Sequence, residues 1–259
     1  MRTSLVKLLL ILFLCVFLYA LWQLLGIYSE YAKGSSEYSK LSEYAQESRE
    51  EENSETGKET QDKEKGLTKL DIDFAALEGT NPDICGWIYL PGLDISYPIV
   101  KGEDDDYYLH HTFEGEENSA GCIFMEALNS RDFSDYNTFI YGHNMKNGSM
   151  FGSLKRYVRE ENCYEENPVF YIYNSKYIYL YRIYSYYITE PDSDTYHLPD
   201  SREDYERYME LVRGKSTVSC NALVQADRPT VTLSTCSGSG ENKKRLVVHG
   251  ILEETENCR

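Results

Sequence analysis

Residues 230–252 read TVTLSTC, SGSGENKK and RLVVHGIL in succession. The first and last blocks are rich in β-branched residues, which suit pleated backbone, and the middle block consists of turn and loop formers. Two strands joined by a flexible reversal are therefore expected over 230–235 and 245–252. Further apolar and polar alternation, punctuated by Gly, Pro, Asn and Asp, predicts strands at 86–89, 96–100, 121–125, 138–141, 169–173 and 177–188. The run VFYIYNSKYIYLYRIY reads as a hairpin turning at Asn174-Ser175-Lys176, its tyrosines serving sheet packing. Eight short strands predict a mostly β domain built as a closed or nearly closed barrel. Two helices interrupt them. Ser149 is expected to cap one, with Met150, Phe151, Leu154, Tyr157 and Val158 on one face. Ser201 with Asp204 resembles a capping box for the other, with Tyr205, Tyr208, Met209 and Val212 as its stripe and Gly214 at its stop.

The chain has 259 residues, room for one folded domain or two small ones. Its 26 basic and 43 acidic side chains leave a net charge of -17, which repels phosphate backbones and argues against a nucleic-acid partner. Residues 8–27, LLLILFLCVFLYALWQLLGI, are apolar apart from Gln23 and long enough for a membrane-spanning helix. The stretch outlasts the apolar region of a cleaved signal peptide. Arg2 and Lys7 precede it and acidic residues follow, so the N-terminus is expected in the cytoplasm and the remainder outside. Three regions result: a cytoplasmic start and anchor over 1–27, a charged stalk over 28–66, and the folded domain over 67–259. Tyr28, Tyr31, Tyr38, Leu41 and Tyr44 fall near the helical spacing that would extend the anchor helix, but a solvated and partly frayed segment is the expectation for the stalk.

Seven cysteines lie at irregular spacings without a CxxC, which argues against a structural zinc site; no metal and no cofactor are expected. Cys236 stands out. A β-branched strand delivers it to its end, and the next strand brings Arg245 alongside, an electropositive and accessible setting that favours a thiolate. A thiol nucleophile working on an acyl group needs a proton carrier titrating near neutrality. His143, reached through Gly142 at the end of the strand over 138–141, suits that role. His249 is expected to be a packed or hydrogen-bonded core group, His110 and His111 surface or packing groups, and His197 a loop residue.

Beyond the TLSTC and RLVVHG blocks stand Asn137-Thr-Phe-Ile-Tyr-Gly-His143-Asn-Met and the following Gly-Ser-Met-Phe-Gly-Ser-Leu. Upstream are Asp83-Ile-Cys-Gly-Trp-Ile-Tyr-Leu-Pro-Gly, Ile95-Ser-Tyr-Pro-Ile-Val, Tyr107-Tyr-Leu and Ala120-Gly-Cys-Ile-Phe-Met. Together, over about residues 74–252, these resemble a sortase, and more narrowly one of class B. The helix ahead of the cysteine strand is similar to one that class B members carry between their sixth and seventh strands. The absence of a second apolar span near the C-terminus is unlike the pilin-polymerising class C. The chain departs from the expected pattern in Phe124-Met125-Glu126, where Asp is expected last, and in the Gly- and Ser-rich loop after Cys236.

The resemblance implies an eight-stranded sortase barrel and a cysteine transpeptidase that cleaves a C-terminal sorting signal after Thr through a thioester. The acyl group passes to a peptidoglycan-precursor or pilin amine. On this basis Cys236 is the nucleophile, His143 the acid and base, and Arg245 the oxyanion or signal-positioning group. Ser234 and Thr235 are expected to line the signal groove. The implied partners are exported proteins bearing the signal, the amine acceptor, and the membrane that holds the N-terminal helix. An exported cysteine peptidase that only hydrolyses, and a non-catalytic surface binding module, remain as alternatives.

Overall fold

The computed structural model describes residues 2–47, 70–217, 220, 225–236 and 244–258. The helices are α1 (Arg2–Leu41), α2 (Phe74–Thr80), α3 (Tyr107–His110), α4 (Arg156–Arg159), α5 (Cys163–Glu166) and α6 (Arg202–Lys215). The strands are β1 (Ala45–Glu47), β2 (Leu70–Ile72), β3 (Ile84–Leu90), β4 (Ile95–Val100), β5 (Ile123–Met125), β6 (Asn137–His143), β7 (Val169–Tyr173), β8 (Tyr177–Thr189), β9 (Thr230–Cys236) and β10 (Arg245–Asn257). β1 and β2 form a small separate ladder, and the other eight close a barrel in the order β10-β8-β7-β3-β4-β5-β6-β9. Closure leaves no free sheet edge along the barrel.

Alternation along the strands separates two cores. Val231, Leu233, Leu246, Val248 and Ile140 point into the barrel, where Trp87, Phe170 and Tyr181 are also fully buried. Phe139, Tyr184, Tyr187 and Val247 point outward and are covered by Tyr205, Tyr208, Met209 and Val212 of α6. Ser201 caps α6 through the Asp204 amide, as its sequence predicts, and the helix runs one residue past Gly214. The hairpin β7–β8 turns at 174–176, with the Asn174 amide donating to the Tyr177 carbonyl at 2.9 Å.

Two expectations need correction. The helix predicted from Ser149 is a single 3-10 turn over Gly152–Lys155 followed by α4. Met150 takes a left-handed φ of 53° and the Ser149 hydroxyl bonds Asn147 rather than a helix end. The region assigned to a solvated stalk is also ordered over its first part. α1 is long and apolar enough over its first half to cross a membrane, and it continues without a break to Leu41. Tyr38 and Leu41, three positions apart and so on one helical face, are buried against the barrel domain. Residues 48–66 of the predicted stalk lie outside the described residues.

Candidate active site

β6 and β9 pair in parallel, with His143 opposite Cys236, Tyr141 opposite Ser234 and Phe139 opposite Thr232. On its other side β9 pairs antiparallel with β10, and there Cys236 lies opposite Arg245. Registered partners share a face of the sheet, so the three positions form one row across adjacent strands, on the outward face that also carries Phe139 and Val247.

The register is held by a buried polar row a few residues below. Asn137 Oδ1 on β6 accepts from the hydroxyls of Thr230 and Thr232 on β9, each at 2.9 Å. The Thr232 hydroxyl is in turn 2.9 Å from Nδ1 of His249 on β10. Since that hydroxyl donates its one proton to Asn137, His249 carries its proton on Nδ1 and donates to Thr232. His249 is fully buried and its pKa is pushed down to about 3 by burial, with the Lys215 charge acting in the same direction. A one-residue slip would break every bond in the row and turn Val231 and Leu233 out of the core.

Gly142 sets the direction of its neighbour. A Cβ there would lie 2.4 Å from Ile123 Cδ1 and 2.8 Å from Phe151 Cδ2, so only glycine lets β6 press against the interior while His143 faces outward. The His143 ring is half-buried, and its Nε2 is 2.7 Å from the Leu109 carbonyl oxygen. A carbonyl only accepts, so Nε2 carries the proton and Nδ1 is left as the basic nitrogen. Burial lowers the His143 pKa below its ordinary value; the Leu109 bond opposes this, and the charges of His110 and Arg245 add to it. Arg245, half-buried at the start of β10, thus lies close enough for its charge to act on His143.

The other described thiols of the barrel domain sit in different surroundings. Burial raises Cys85 and Cys122 to about 12, and it also raises Cys163, Cys220 and Cys258. The remaining histidines are placed much as the sequence implies. His111 stacks on Tyr107 with ring centroids 4.0 Å apart, His110 is exposed, and His197 pairs with Asp204.

The pair expected to line a groove is divided. Thr235 faces the barrel interior with Leu246 and Gly142 as its register partners, and its buried hydroxyl has no hydrogen-bond partner. That position is corrected: alternation along β9 puts Thr235 on the buried interior side with Val231 and Leu233, away from any groove. Ser234 shares the face of Cys236, and its hydroxyl is 2.8 Å from that of Tyr196.

Sequence reasoning missed the Leu109 carbonyl, since a main-chain acceptor has no residue signature. It also set His249 apart from the site's support, although its odd-numbered position alongside Arg245 and Val247 signals the same face. Glu126, noted only as a departure, accepts from the Tyr141 hydroxyl at 2.7 Å. Burial and a hydrogen bond with Asp105 hold its carboxyl well above the usual range.

Comparison with known proteins identifies the family to which this fold belongs. The sortase domain family model matches residues 88–253. Sortase B of Listeria monocytogenes is 36% identical over 181 residues, covering 68% of this chain and 72% of the relative. Sortase B of Staphylococcus aureus is 33% identical over 178 residues, with the same coverage of 68% and 72%. The crystal structure of sortase B from B. anthracis in complex with AAEK1 superposes with a TM-score of 0.68 at 31% identity, over 87% of this chain and 99% of that one. The Staphylococcus aureus sortase B–substrate complex does so with a TM-score of 0.66 at 30% identity, over 70% and 84%. A closed barrel with this strand order, a matched domain spanning most of the folded region, and relatives above 30% identity together place the chain in the sortase family, as a member of class B.

Proposed function

We propose that this chain is a membrane-anchored cysteine transpeptidase that cleaves a C-terminal sorting signal after Thr and joins the exported protein to an amine of the cell wall or of a pilin subunit. The observation that carries the reading is the shared register of His143, Cys236 and Arg245 across three adjacent strands. The neutral His143, protonated on Nε2, takes the Cys236 thiol proton on Nδ1. The thiolate adds to the Thr carbonyl, and the Arg245 guanidinium stabilises the oxyanion. Collapse breaks the peptide C–N bond, His143 returns the proton to the leaving amine, and a thioester remains. An incoming amine, deprotonated by His143, attacks that thioester and releases Cys236 as the thiol. Ser234, buried with its hydroxyl 2.8 Å from that of Tyr196, supports the strand beneath Cys236 rather than touching the signal itself.

The apolar first half of α1 is proposed to anchor the chain as a single span, with its N-terminus in the cytoplasm of a Gram-positive cell and the barrel outside. The test is mass analysis of a sorting-signal peptide incubated with the full chain, with and without an oligoglycine or diaminopimelate-type amine. A new amide to the amine supports transfer. A cleaved acid formed at the same rate in either condition overturns it in favour of a peptidase, and no cleavage at all favours a binding module.

A further inference from the structure

We propose that the part of α1 beyond its apolar span is a positioning element for His143, acting through Tyr38. The inference rests on His143 being the acid and base of the reading above. This part of α1 is docked rather than free. The Glu30 carbonyl accepts from Asn118 Nδ2 at 3.0 Å and its carboxylate from the Ser119 amide at 2.7 Å. The Glu37 carboxylate accepts from the Glu114 amide at 2.9 Å. Between these contacts and buried Leu41 sits Tyr38, itself only 9% exposed.

Two short paths lead from Tyr38 to His143. Its ring meets Tyr97 edge-on, with centroids 5.4 Å apart and planes at 87°. The Tyr97 hydroxyl accepts from the Met150 amide at 3.1 Å. Met150 bridges to Asn144, and the Phe151 amide donates to the His143 carbonyl at 3.0 Å. This path holds the His143 main chain. On the second path the Tyr38 hydroxyl donates to the Gly121 carbonyl at 2.6 Å. Gly121 has a left-handed φ of 56°, and a Cβ there would lie 2.7 Å from the carbonyl oxygens of both Tyr108 and Leu109. Segment 120–122 thus lies directly against the turn that presents Leu109, and the Cys122 amide donates to the Tyr108 carbonyl at 2.8 Å. The Leu109 carbonyl accepts from His143 Nε2 at 2.7 Å. This path holds the imidazole and its tautomer. One side chain of the membrane helix therefore supports both the main chain and the ring of the proposed proton carrier. The helix that anchors the chain is thereby coupled to the state of its site.

The test uses the full chain in lipid nanodiscs, with 15N-labelled histidine, comparing wild type, Tyr38→Phe, Tyr38→Ala and, as a control, Tyr31→Phe. In wild type the long-range proton–nitrogen spectrum of His143 should show a single Nε2–H tautomer. In both Tyr38 variants it should become a tautomer mixture, with kcat reduced by about tenfold or more and KM little changed. Tyr31→Phe should match wild type. A single wild-type tautomer in both Tyr38 variants would overturn the proposal. Thermal melting identifies a Tyr38→Ala chain that fails to fold, in which case Tyr38→Phe, lacking only the hydroxyl, decides. A tautomer mixture with unchanged turnover would uphold the positioning and overturn the acid and base role of His143 instead.

Discussion

His143 and Cys236 are register partners on the parallel strands β6 and β9, so the backbone ladder sets their separation, not a loop. Arg245 is the partner of Cys236 on the opposite side. A site built on ladder positions is held by every bond of the strands that carry it, and its geometry is sensitive to changes in those strands.

Substitution of the row should grade by role. Cys236→Ala and His143→Ala are expected to abolish turnover of a signal peptide. Arg245→Lys keeps the charge but loses the planar fork, and should lower kcat by roughly a hundredfold, about 3 kcal/mol of transition-state stabilisation. Steady-state kinetics check this; an Arg245→Lys enzyme with wild-type kcat would remove the guanidinium from the mechanism.

Alkylation should single out Cys236. Cys85 and Cys122, raised to about 12, and Cys163, Cys220 and Cys258, also raised, hold little thiolate at neutral pH. Iodoacetamide at pH 7 followed by peptide mapping should modify Cys236 first, and more slowly in His143→Ala. Equal labelling of several cysteines would contradict an activated thiol.

Acid should destabilise the barrel through His249. Its folded pKa, about 3, lies below the value of about 6.5 for an unfolded histidine, so between these limits the unfolded chain binds the extra proton. Its contribution is intact above pH 6.5 and declines by about 1.4 kcal/mol per pH unit on acidification. Denaturant unfolding of wild type and His249→Phe at pH 7 and pH 5 isolates this slope. Parallel pH dependence in the two proteins would mean that His249 stays neutral in neither state or in both.

Packing at the bulge of β10 should be intolerant. A Cβ on Gly250 would lie 2.4 Å and 2.6 Å from the Phe170 ring and 3.0 Å from Tyr181 Cβ, all within the core. Gly250→Ala should cost about 1 to 3 kcal/mol, visible as a lower denaturant midpoint with an unchanged slope.

Local pattern determined much of this molecule. Period-2 alternation made the strands legible, the Ser201 cap and the stripe from Tyr205 to Val212 made α6 legible, and strand-end placement pointed to Cys236, His143 and Arg245. These are short-range properties, encoded by neighbours in the chain. Tertiary structure decided what no local window carries. The parallel pairing of β6 with β9 joins residues nearly a hundred positions apart, and it alone sets His143 opposite Cys236. Strand parity, read against the closed barrel, sent Thr235 inward. The burial of Tyr38 turned the start of an apparently polar stalk into a docked helix, because a tyrosine and a leucine three positions apart make a useful apolar face only when a partner surface is there to cover them. The Leu109 carbonyl that orients the His143 ring is main chain, identical in every residue, so only the folded path of the backbone could bring it there.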